Sequence, residues 1–163
     1  LVFALGKSDN RNAAAFVIDT SRPVDDEKCI TTVWIIGDEK HRKHTLQKRG
    51  EEDTGQVVTV PLNALEKAFL GCSVDRGDEG QRMISLAAFD EANFEFTPEI
   101  ELVRTKDAYW LRSTSLNGQP CRLERAYVQM ARGTTRRLDV LSLYGTDMGG
   151  NDVSRRLVNS EVA

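Results

Sequence analysis

Cysteine and histidine are scarce in this chain, and each scarcity removes a class of explanation. Three cysteines (Cys29, Cys72 and Cys121) in 163 residues form no CxxC pair. Such a set fits a reducing, cytoplasmic compartment better than a disulfide framework and predicts three free thiols. Two histidines, His41 and His44, fall one short of the three protein ligands a catalytic zinc takes. On a strand their odd spacing sends them to opposite faces, whereas on a helical turn they would share one. No apolar run reaches the roughly 18 residues of a membrane-spanning helix. The opening LVFALGKS is too short for a signal sequence with its cleavage site. Because the chain starts abruptly in apolar residues, residues before Leu1 and any targeting segment among them stay open.

Catalytic signatures are also missing. The chain has no GxSxG elbow, Walker loop, HExxH or dinucleotide fingerprint, and its 12 glycines are spread among turns. No catalytic residue, cofactor or metal is therefore expected. Net charge is -3, whereas polyanion binding needs concentrated Lys and Arg, so nucleic acid is not an expected partner.

The charge that is present is unevenly placed. Residues 40–49 hold Lys40, Arg42, Lys43, Lys48 and Arg49 with no acid, and residues 75–101 hold eight acids against two arginines. A fold that separates the two stretches presents a basic face to an acidic protein partner or a small anionic ligand. The competing reading of the basic run is protection of an exposed edge strand by lysine.

Alternating and β-branched runs dominate the rest. Residues 1–7, 13–19, 29–36 and 56–60 read as strands, with residues 40–49 as an exposed strand between the last two. Leu62, Leu65 and Phe69 recur at helical spacing between Pro61 and Gly71, which predicts the one helix, over residues 61–70. Residues 73–80 read as a charged loop, residues 83–89 and 99–104 as strands, and Phe94 and Phe96 as an alternating pair. Asn117-Gly118 signals a hairpin, residues 122–131 and 137–144 carry two further crossings, and Gly145, Gly149 and Gly150 mark a reversal before residues 153–158. The apolar phase switches between Leu123 and Ala126, which predicts a β-bulge at Glu124-Arg125 that turns Arg125 inward onto a carboxylate. Trp34 and Trp110 lie in apolar runs and should be buried.

Three segments, Thr32-Val33-Trp34-Ile35, Glu124-Arg125-Ala126-Tyr127-Val128-Gln129 and Leu143-Tyr144-Gly145-Thr146-Asp147, have an order and separation that resemble a family of small uncharacterised β-rich domains. The resemblance implies one compact β domain and brings no catalytic residue with it.

Residues 1–163 are thus expected to form a single all-β domain, a mainly antiparallel sandwich or partly open barrel. The functional expectation is a non-catalytic binding or protein-interaction module, with Lys40, Arg42, Lys43, Arg125, Tyr127 and Asp147 as candidate binding residues. The alternative is a small enzyme with a cleft site around Arg125, Tyr127 and Asp147. Cys121 would be its nucleophile if a base and a positive setting adjoin it. A pocket gathering these residues favours the enzyme. Asp147 to Asp152 also reads as a tight turn, in which Asn and Asp beside Gly supply the backbone freedom. Arg122, Arg132, Arg136 and Arg137 carry much of the remaining positive charge.

Overall fold

Polar turns between apolar runs divide most of the chain into short strands. The computed structural model describes residues 1–23, 26–106, 108–131 and 137–161. Strands β1 (Ala4–Lys7) and β2 (Ala13–Ile18) precede β3 (Ile30–Ile36), helix α1 (Glu39–Arg49), β4 (Val58–Pro61) and helix α2 (Ala64–Leu70). Then come β5 (Cys72–Arg76), β6 (Arg82–Leu86), helix α3 (Ala87–Glu91), β7 (Ile100–Arg104) and β8 (Tyr109–Ser113). The long strands β9 (Cys121–Met130) and β10 (Leu138–Asp147) and then β11 (Asp152–Val158) complete the order. Strand exceeds helix 45% to 18%, so the fold is all-β in class.

All eleven strands among the described residues belong to one mixed sheet, ordered β4-β3-β2-β1-β9-β8-β7-β6-β5, with β10 on the other side of β9 and β11 beyond it. Every pairing is antiparallel except β1 with β9, where Leu5 stands opposite Ala126 and Lys7 opposite Val128. The sheet curls until the Thr32 hydroxyl of β3 meets the Cys72 thiol of edge strand β5 at 3.5 Å, yet it does not close. Its core includes Phe3, Leu5, Phe16, Leu123, Leu141 and Leu143.

The bulge falls where the phase switch placed it. Arg125 stands opposite Tyr144 and Leu123 opposite Gly145, which leaves Glu124 as the extra residue. Along one edge β9 pairs with β8 through residues 121–123 and with β1 through residues 125–128. The bulge sits at that change of partner, where a bend in the strand is needed. Gly145 is therefore not a turn residue. It lies inside β10, and a Cβ there would run into the Arg122 carbonyl oxygen. The turn is made by residues 147–151, with Gly150 at φ 81°. The hairpin signalled by Asn117-Gly118 joins β8 to β9 through a longer loop, closed by the Gly118 amide donating to the Thr114 carbonyl at 2.9 Å.

Three expectations about helices are corrected. Residues 40–49 are not an exposed strand but most of α1, the longest of three α-helices among the described residues. Asp38 caps it by accepting from the His41 amide at 3.1 Å, and Gly50 ends it at φ 71°. Lys, Arg and Gln are strong helix formers, so local propensity and the caps decide where no apolar alternation exists. Leu46 is its one buried residue. The helix expected over residues 61–70 covers Ala64–Leu70, because Pro61 ends β4 and the reciprocal Asn63–Glu66 capping box starts the helix. The run at residues 83–89 divides into β6 and α3, where Ala88 and Phe89 are buried. Residues 73–80 begin with most of β5 rather than forming only a loop, and Phe94 and Phe96 lie outside any strand. No described helix is long and apolar enough to cross a membrane.

Candidate functional site

A cavity of about 500 Å³ lies beneath α2. Parallel pairing shapes it, because β1 and β9 run the same way toward its rim. Along β1, burial falls from Leu5 at 3% exposure to half-buried Lys7, and along β9 it falls from Val128 at 2% to half-buried Met130. Leu5 and Val128 thus form the floor, while Lys7 and Met130 stand nearer solvent. Trp34 of β3 and Phe69 of α2 supply aromatic walls, with Ala68 and the exposed Leu65 along the covering helix. Trp34 is half-buried rather than buried as expected, because its face is open to this space.

Three ionisable side chains among the described residues line the cavity: Lys7, Glu66 and Glu91. Glu66 is committed on both oxygens. Its Oε1 accepts from the Asn63 amide at 3.0 Å, and its Oε2 accepts from Trp34 Nε1. The capping box that starts α2 therefore also fixes the indole. Glu91 ends α3 and is exposed. Lys7 has neither an ion pair nor a side-chain hydrogen bond among the described residues. An apolar pocket of this size, built on strands and a helix with few polar groups, is the usual form of a small-molecule site.

The residues read from sequence as candidates lie elsewhere. Lys40, Arg42 and Lys43 are on α1, but acids flanking the basic run neutralise much of it. Arg42 pairs with Asp53 at 3.3 Å, Lys43 with Glu39 at 3.0 Å and Arg49 with Glu51 at 2.8 Å. Lys40 and Lys48 stay exposed. His41 and His44 do share one turn of this helix, yet His41 Nδ1 lies 3.1 Å from the capping Asp38 carboxylate. No group of three or more His, Cys, Asp or Glu disposed to hold a metal occurs among the described residues.

Arg125 is not turned inward. The bulge places both Glu124 and Arg125 outward, and the Arg125 guanidinium lies over the Tyr144 ring at 5.3 Å. Two outward residues in succession are what a bulge produces when neither can pay for burial. Tyr127 meets Tyr144 edge to face at 5.7 Å, so Arg125 and Tyr127 share one exposed aromatic cluster. Asp147 lies apart from it. Its Oδ1 accepts from the Gly149 and Asn151 amides, each at 2.9 Å. Led by the Asn151 amide, these bonds hold its carboxyl below the usual range.

Cys121 is buried, and its thiol donates to Asn117 Oδ1 at 3.2 Å. Burial first, then the Asp147 charge, raises its pKa, the opposite of what activates a nucleophile. Cys72 is pushed up to about 11, mainly by burial. Neither the cavity nor a smaller crevice beside half-buried Trp110 is lined by Arg125, Tyr127, Cys121 or Asp147. Trp110 was expected to be buried, and the crevice explains the difference. Arg132 and Arg136 lie outside the described residues.

Sequence reasoning missed Lys7, Glu66 and Phe69 as a group. Asn63 and Glu66, three residues apart, are a legible capping box. The approach of α2 to β1 and β9 leaves no local signature. Comparison with protein-family models, with curated proteins and with solved structures finds no match in any of the three.

Proposed function

We propose that this domain is a non-catalytic binding module that takes a small, largely apolar molecule in the cavity beneath α2. One observation carries the reading: an apolar space of about 500 Å³ walled by Trp34, Phe69, Leu5 and Val128. Its walls come from β1, β3, β9 and α2, so a ligand would meet a preformed surface rather than order one. The enzyme alternative receives no comparable support, because Arg125 and Tyr127 face outward, Asp147 holds a turn and Cys121 faces the core. The resemblance to small uncharacterised β-rich domains stands beside this reading as a proposal. Two of its segments contain Trp34 and Val128 of the cavity. A cytoplasmic site of action is likewise proposed, from the sparse cysteines.

The test is titration with the neutral fluorophore N-phenyl-1-naphthylamine. Saturable one-to-one binding with a blue-shifted emission supports the proposal. The filling variant Ala68→Trp should abolish it, since Ala68 is exposed on α2 and faces the cavity without supporting the core. Absence of saturable binding to the wild-type protein, or equal binding by Ala68→Trp, overturns it.

A further inference from the structure

The ionisable groups of the cavity differ in what they still have to offer. Both Glu66 oxygens already accept hydrogen bonds, from Asn63 and Trp34. Glu91 is exposed at the rim and is hydrated without help. Lys7 is half-buried against apolar walls and, among the described residues, has no ion pair or side-chain hydrogen bond. An ammonium beside an apolar surface and without a counterion offers an arriving anion a charge-assisted contact.

Direction matters as well as charge. Lys7 follows Leu5 by two residues on the same face of β1, and Met130 follows Val128 in the same way on parallel β9. The charged group therefore stands at the solvent end of an apolar slot. A molecule satisfying both ends needs an anionic head and an apolar tail.

Resting on the cavity reading above, we propose that the ligand is an amphiphilic monocarboxylate whose head pairs with Lys7 Nζ. Its alkyl or aryl tail lies between Trp34, Phe69 and Val128. The head is held by a charge-assisted hydrogen bond at the rim, where both partners keep some water. The tail supplies most of the affinity through burial.

Matched ligands separate this proposal from the cavity reading. Decanoate and decylamine, each below its micellar concentration, and decanol below its solubility limit would compete with N-phenyl-1-naphthylamine at pH 7. Decanoate should displace the probe at least about tenfold more tightly than decanol, the scale of one charge-assisted contact. Lys7→Met keeps the apolar stem and should retain the probe while losing the preference for carboxylate. Lys7→Arg should keep that preference. Probe binding with equal displacement by decanoate and decanol overturns the carboxylate proposal alone. Stronger displacement by decylamine also overturns it and assigns the head to Glu91. A preference for decanoate that survives in Lys7→Met overturns it too. Failure of the probe to bind the wild-type protein removes the cavity reading itself.

Discussion

Residues 40–49 carry five cationic side chains, whereas Lys7 is, among the described residues, the single cation lining the cavity beneath α2. On α1, three of the five are paired with Glu39, Asp53 and Glu51, and the others are exposed to water. Lys7 is half-buried and keeps apolar company. Availability for a ligand thus depends on what each charge already touches and how much water it retains, not on local charge density. The two regions also differ in anchorage. The cavity floor is part of the main core through Leu5 and Val128, whereas α1 is held by buried Leu46, which stands outside that core cluster.

The largest expected effect separates the two anchorages. Leu5→Ala should cost about 3 kcal/mol in urea unfolding, and Leu46→Ala about 2 kcal/mol, because the second site can collapse more readily. A larger loss at Leu46 would reverse the comparison. Trp34→Phe comes next. It removes the indole donor from Glu66 while keeping an aromatic wall, and should cost about 1 kcal/mol of stability.

Reversing Lys40, Arg42 and Lys43 to Glu places new carboxylates beside Glu39 and Asp53. Stability should fall only slightly, and only at low salt, with probe binding in the cavity unchanged. Altered probe affinity would mean that the two regions are coupled.

The smallest effect is a pH dependence. The His41 amide lowers the Asp38 pKa, Lys43 that of Glu39, and the Gly55 amide that of Asp53. Folded-state values below the unfolded ones mean that the α1 contribution is present above the ordinary carboxylate range. It should be lost as pH falls through the lowered values. Amide protection along α1, measured relative to the intrinsic exchange rate at each pH, should therefore fall at acid pH before protection in β9 does. Simultaneous loss would contradict a separately held helix.

Legibility follows the range of the interactions involved. Strand alternation and the bulge at Glu124-Arg125 could be read because each is written within a few residues. Helix α1 was misread because its polar composition gives no apolar period, although Asp38 and Gly50 announce both of its ends. Inward aim of Arg125 failed because the phase switch fixes where a bulge lies but not which face its extra residues take. The cavity depends on β1 meeting β9 in parallel across more than a hundred residues, with α2 folded over both. Nothing local at Lys7 encodes that neighbourhood.

Two tryptophans allow one spectrum to compare the regions directly. Trp34 lines the cavity and Trp110 the crevice beside β8, so their indole N–H signals report on different places. In a two-dimensional amide correlation experiment on uniformly ¹⁵N-labelled protein, added decanoate should shift the Trp34 indole signal and the Lys7 and Val128 amides. Trp110 and the α1 amides should stay in place. A shift confined to α1 or to Trp110, with Trp34 unmoved at saturating decanoate, would contradict the assignment of the ligand to this cavity.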